Sequence, residues 1–128
     1  MNPNIPIVRY LDETQSLSCP YGDVRRIVTG GEGGVANVHV IRVTRGNRHF
    51  HTGYNEVYFI LSGSGIVTIG EDSHALRPGA VVVIPAGVPH SLQSDTDAPL
   101  EFVIFGTPPI SLDDARAMPM KSFEGDER

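Results

Sequence analysis

Residues 46 to 63 read Gly46-Asn-Arg-His49-Phe-His51-Thr-Gly-Tyr-Asn-Glu56-Val-Tyr-Phe-Ile-Leu-Ser-Gly63. Two histidines stand two apart, and a glutamate follows five residues after the second. Alternate side chains of a strand share a face, so His49 and His51 point one way and Phe50 the other. Gly53 and Asn55 suit a turn or bulge between the second histidine and the glutamate. Glu56 then opens an apolar strand, Val57 to Leu61, and can return to the histidine face. Two imidazoles and a carboxylate converging on one point make a site for a divalent metal.

A further candidate ligand lies downstream, in Gly79-Ala-Val-Val-Val-Ile-Pro85-Ala-Gly87-Val-Pro-His90. This stretch is an apolar strand, a Pro/Gly turn, and a histidine that starts the next strand. Together the two stretches resemble the paired sequence motifs of the cupin superfamily. The first motif matches at His49, His51, Glu56 and Gly63; the second matches at Gly79, Pro85, Gly87 and His90. The glycine that opens the family's first motif is replaced by Val43. The asparagine that closes the second is replaced by Ser94. The resemblance implies an all-β fold: a cupin-type barrel (double-stranded β-helix, or jelly roll). It also implies a homodimer built through sheet edges and an exchanged N-terminal strand. The motifs occur once, so a single barrel is expected.

The chain has 128 residues, of which 40% are hydrophobic. That is enough for one domain with a real core and argues against disorder. Glycine and proline are plentiful between short Val/Ile/Phe/Leu runs, which also indicates an all-β protein. A net charge of −5 disfavours nucleic-acid binding. No long apolar run, leader or lipidation signal points to a membrane. Cys19 is the only cysteine, which fits a reducing cytoplasm.

In chain order, residues 1–24 form an N-terminal arm, with Ile5 to Leu11 expected as an edge strand. The barrel spans 25–106, and 107–128 carry a short helix and tail. Cys19 is read as a loop or partly buried thiol without function. Val24 to Thr29 is a strand in which Arg25 and Arg26 face opposite ways, so one of them turns inward. An inward arginine could bind an anionic substrate; a salt bridge at the surface or barrel end is the stronger expectation. Gly30 to Gly34 is a flexible connection and not a dinucleotide loop, since a strand follows it. In that strand, Val35 to Thr44, His39 shares a face with Asn37, Ile41 and Val43. It is read as a sheet or core histidine before an outer-shell ligand partner.

Glu56, Tyr58 and Ile60 share one face of the next strand, and Val57, Phe59 and Leu61 the other. Apolar residues on both faces imply that both are covered, one by the core and the other by a partner subunit. Tyr58 is the candidate catalytic residue, set to bond substrate or the Glu56 carboxylate. Tyr54 is a rim candidate. Ser62 to Gly65 is expected as a hairpin turn, and Gly70 to Ser73 as another. His74 is expected to be exposed. His90, Leu92 and Ser94 share an inward face, and Leu100 to Phe105 form the last strand. Ser111 with Leu112, Asp113 and Asp114 signals the start of a short helix ended by Pro119.

Each histidine alone would be read as packing. Together they bring three imidazoles and a carboxylate into one barrel, and burying Glu56 uncompensated would cost several kcal/mol. A divalent cation removes that cost. The ligand set, His49, His51, Glu56 and His90, suits one transition metal per chain: Fe, Mn, Zn, Ni or Cu. The expected function is therefore a metal-binding cupin acting on a small molecule. Dioxygenase-like chemistry comes first and isomerase or lyase chemistry next, with a non-catalytic metal or ligand binder as the alternative.

Overall fold

A computed structural model describes residues 6–19, 22–30 and 35–109. Ten strands follow in order: β1 (Ser16–Cys19), β2 (Gly22–Val28), β3 (Asn37–Val43), β4 (Arg45–His49), β5 (Asn55–Ser62), β6 (Gly65–Ile69), β7 (Asp72–Leu76), β8 (Val81–Ile84), β9 (His90–Ser94) and β10 (Leu100–Thr107). They form a six-stranded sheet, ordered β1-β2-β3-β10-β5-β8, and a four-stranded sheet, ordered β4-β9-β6-β7. Every pairing is antiparallel. Among the described residues, no helix is long and apolar enough to cross a membrane.

The core follows from the period-two alternation. Along β5, Glu56, Tyr58 and Ile60 are buried while Phe59 and Leu61 are exposed. Residues directly opposite on antiparallel strands share a face. Ile60 therefore lies beside Phe102, and Tyr58 beside Ile104 and Val82. These side chains meet Val67, Leu76 and Leu92 of the second sheet in one cluster. Ile60, Leu100 and Phe102 are at most 1% exposed. Burial of each such side chain is worth about 1.5–3 kcal/mol before entropy is charged.

The outer face of the large sheet is apolar and open. Val81 and Val83 are exposed on β8, Phe59 and Leu61 on β5, and Phe105 on β10. The register joins them, because Val57 pairs with both Val83 and Phe105, and Phe59 with Val81. This matches the two-sided apolar pattern read from the sequence.

Some local expectations need correction. Residues 6–10 form no strand, and Leu11–Glu13 is a short 3-10 turn. Thr14 Oγ1 donates to the Tyr10 carbonyl there. The edge strand is instead Ser16–Cys19, paired with β2. Pro6 removes a ladder donor, and the polar run Asp12-Glu13-Thr14 favours local bonds over a ladder. Ser62 to Gly65 is not a hairpin turn either. β5 pairs with β10 and β8, whereas β6 pairs with β7 and β9, so this corner carries the chain from one sheet to the other. Gly63 makes the corner possible: its φ is +87°, and a Cβ there would lie 2.7 Å from the Pro99 carbonyl oxygen. The turn at Gly70 does close a hairpin, joining Ile69 to its partner Asp72. The helix expected from Ser111 lies outside the described residues, as do Gly31 to Gly34.

Candidate metal centre

The two sheets deliver the site from opposite sides. His49 ends β4 and pairs with His90, the first residue of β9, in the small sheet. Glu56 comes from β5 of the large sheet, and His51 from the connection between β4 and β5. His49, His51 and His90 each offer a ligand atom within 4.8 Å of the others. The rings lie close, with centroids 4.8 Å apart for His49 and His51 and 4.5 Å for His49 and His90. Glu56 is not one of this mutually close trio. Its Oε1 nonetheless stands 3.6 Å from Nε2 of His51 and 3.6 Å from Nε2 of His90. The structure thus brings together all the ligand positions read from the two motifs.

Each imidazole is held by its other nitrogen. His49 Nδ1 lies 2.6 Å from the Asn47 carbonyl, and His90 Nδ1 lies 3.0 Å from the Val88 carbonyl. A carbonyl only accepts, so Nδ1 carries a proton and Nε2 is the ring atom left for a ligand. His51 Nδ1 meets the Tyr54 hydroxyl at 2.9 Å, and the two rings stack with centroids 4.7 Å apart. Such outer contacts fix ring tilt and tautomer in metal-binding histidines. The His90 contact is local in origin. Pro89 biases Val88 to extended backbone, which turns its carbonyl toward the following histidine.

The turn before His90 is bound to the first motif. Gly87, with φ +85°, donates its N–H to the His51 carbonyl at 2.6 Å. Ala86 donates its N–H to Asn55 Oδ1 at 2.9 Å. Ser94, in place of the motif asparagine, bonds the Ala98 carbonyl at 2.5 Å and accepts from Thr96 N–H, closing its own loop.

The electrostatics favour a cation. Glu56 is 7% exposed, and no Lys or Arg pairs with it among the described residues. Burial alone would raise its pKa. The imidazoles of His90 and His51, with the Tyr58 hydroxyl, outweigh burial and hold the carboxyl below its ordinary value. His51 moves the other way from a usual ion-pair partner: burial lowers its pKa to about 4, against the pull of Glu56. At neutral pH His51 is thus uncharged beside the ionised carboxylate of Glu56. His90 Nε2 is buried with no hydrogen-bond partner, although an orphaned buried acceptor is costly. One ion with bonds of about 2.1 Å places its donor atoms roughly 3 to 4 Å apart, a range that includes the 3.6 Å separations here. The residues fit a divalent metal.

The remaining candidates take definite places. Tyr58 is buried, donates its hydroxyl to Glu56 Oε1 at 3.1 Å, and packs on Phe102 with ring centroids 5.0 Å apart. Burial, with Glu56 close by, raises its pKa well above the usual value. Burial likewise raises that of Tyr54. Sequence reading gave Tyr54 only a rim role. The available signal was its place three residues after His51 in a turn, close enough for the ring to fold back. His74 is exposed on β7. His39 lies on the interior face, paired with Ile104. By register Arg26 shares the face of His39, with its side chain exposed, and no ion pair joins it to another described residue.

Residues 37–106 match the model of the cupin domain. The chain spans about half the length of the curated relatives it matches, both described only as uncharacterized. Among solved structures, a protein from Planctomyces limnophilus superposes with a TM-score of 0.76 at 21% identity, over 88% of this chain and 96% of that one. The oxalate decarboxylase of Lactobacillus farciminis, as a formate complex, gives 0.68 at 19% identity, over 84% of this chain and 36% of that one. The salicylate 1,2-dioxygenase of Pseudoaminobacter salicylatoxidans, as adducts with gentisate, gives 0.67 at 24% identity, over 87% of this chain and 31% of that one. At these identities the likeness is one of fold.

Proposed function

Because this chain belongs to the cupin domain family, we propose that it is a metal-dependent enzyme acting on a small organic molecule inside the barrel. His49, His51, Glu56 and His90 hold one divalent transition metal. Dioxygenase-like chemistry is the first reading, and isomerase or lyase chemistry the second. The observation that carries the proposal is the set of Nδ1 contacts, with Nε2 of His51 and His90 facing a buried carboxylate that has no Lys or Arg partner among the described residues. The named activities of the neighbours, a dioxygenase and a decarboxylase, support these two reaction classes.

When bound, the metal would supply Lewis acidity and, if redox-active, electron exchange with O₂. The protein's own part is positional. Glu56 balances one positive charge, and Tyr58 fixes its orientation through Oε1. Tyr58 is the residue proposed to assist catalysis, acting through Glu56 or on substrate. Ile84, paired with Glu56, and Phe102 beneath Tyr58 keep water from the inner side. That dryness strengthens every charge interaction at the site. The open apolar face of the large sheet is assigned to a second copy of the chain. Such a face is self-complementary about a two-fold axis, and leaving it in water is unfavourable.

The test is elemental analysis of untagged protein purified without chelators, with turnover assayed on the same sample. About one metal ion per chain is expected, and His51→Ala should remove both metal and turnover. Turnover that persists without metal would overturn the enzyme reading. Tight ligand binding with no product would reassign the protein as a binder.

A further inference from the structure

The interior face of the large sheet carries a second polar row beside the metal centre. Glu56 pairs with Gly106, which pairs with Asn37. The adjacent row runs Tyr58, Ile104, His39, Arg26 through successive direct pairings. Paired residues share a face, so Arg26 and His39 stand on the same inner surface as Tyr58 and Glu56. At roughly 4.8 Å per strand, His39 lies about 10 Å from Tyr58 along the sheet and Arg26 about 14 Å. An arginine side chain spans much of the remaining gap. His39 feels both ends: after burial, Arg26 is the next influence lowering its pKa, and Glu56 acts against it.

Arg26 is exposed while His39 is half-buried. Arg25, its sequence neighbour, faces outward and pairs with Ser16 and Val40. No carboxylate of the described residues pairs with the Arg26 guanidinium, which is exposed to solvent and open to an incoming anion. This face of the sheet therefore runs from the His and Glu cluster at one end to an exposed planar cation at the other, with a half-buried histidine between.

We propose that Arg26, with His39 beneath it, binds a carboxylate of the substrate and so selects small organic carboxylates. Guanidinium matches a carboxylate through parallel N–H donors, which a point charge such as lysine does less well. The carboxylate sits at the mouth, and the remainder of the molecule extends toward His49, His51, Glu56 and His90. This deepens the enzyme reading and rests on it for the position of the reacting end.

The test compares binding of benzoate with benzamide, and of succinate with succinamide, by calorimetry on metal-loaded and metal-free protein. Each carboxylate should bind roughly tenfold tighter than its amide in both forms. Arg26→Met should abolish that preference with metal content and melting temperature unchanged, and Arg26→Lys should retain part of it. If Arg26→Met does not fold, Arg26→Gln is read in the same way. An unchanged preference in the Met or Gln variant, or no preference in the wild type, overturns the proposal. So does a preference that vanishes when metal is removed, since that assigns the carboxylate to the metal. A wild type that holds no metal yet keeps an Arg26-dependent preference sinks the metal reading and leaves this one standing.

Discussion

The Tyr54 hydroxyl meets Nδ1 of His51 at 2.9 Å while the two rings stack, so one side chain holds both the face and the outer nitrogen of a cluster histidine. Tyr54→Phe keeps the stack and removes the bond. Metal affinity should fall about 10- to 100-fold with little change in folding. Competition against a chromophoric chelator measures this, and unchanged affinity would mean that Tyr54 is only packing.

Tyr58→Phe isolates the role of a buried hydroxyl. The Phe102 contact survives, but Glu56 loses its donor at Oε1. In the metal-free protein this should cost about 1–2 kcal/mol, read from urea unfolding. Metal binding should compensate in part. A positioning role predicts reduced turnover with near-normal metal content, whereas loss of the metal itself would make Tyr58 part of the ligand scaffold.

Acid should destabilise the metal-free protein in two stages. The folded His51 has a pKa of about 4 against 6.5 unfolded. The unfolded chain therefore binds the proton first, and stability falls as pH drops from 6.5 to 4. The change is about 3 kcal/mol at most. His39 is lowered as well and acts in the same sense. Glu56, held below its ordinary value, withdraws its contribution further down, as pH falls through its folded pKa. Melting temperatures should be nearly level from pH 7.5 to about 6.5 and fall from there to pH 4. A flat profile would contradict the burial of the cluster.

Gly63→Ala tests the corner between the sheets. It demands φ near +87° of an alanine and drives its Cβ into the Pro99 carbonyl. A loss of about 2 kcal/mol or more is expected. Gly87→Ala shares the positive φ but meets open space, so it should cost closer to 1 kcal/mol. Equal losses would show that crowding at Pro99 is relieved by a small shift of the loop.

The open face of the large sheet gives a separate prediction. Val83→Glu places a charge among Val57, Val81 and Phe59 without entering the core. The wild type should sediment as a dimer and the variant as a monomer with its metal site intact. A monomeric wild type would remove the second copy from the proposal.

Much of this was legible because strand alternation and ligand spacing are local. His49, His51, Glu56 and His90 could be brought to one site from the motif spacing and the resemblance it carries, although His51 lies in the connection after β4 and not on a strand. The inward set Glu56, Tyr58 and Ile60 follows from the same rule. What could not be read was pairing across the chain. Ser62 to Gly65 has the residues of a hairpin turn, but the partners of β5 and β6 are set by distant strands. Nothing local says that Arg26 rather than Arg25 faces inward; the register against His39 decides it. The extended reading of Ile5 to Leu11 failed because isolated apolar residues among prolines and acids found no ladder.

The bond from the Gly87 amide to the His51 carbonyl joins chain segments that lie far apart in sequence. No fragment containing only one motif can assemble the binding site, and a nascent chain acquires it only once β9 has emerged and docked. Under the proposed function, an ion held by both motifs would therefore report that β9 has docked against the first motif.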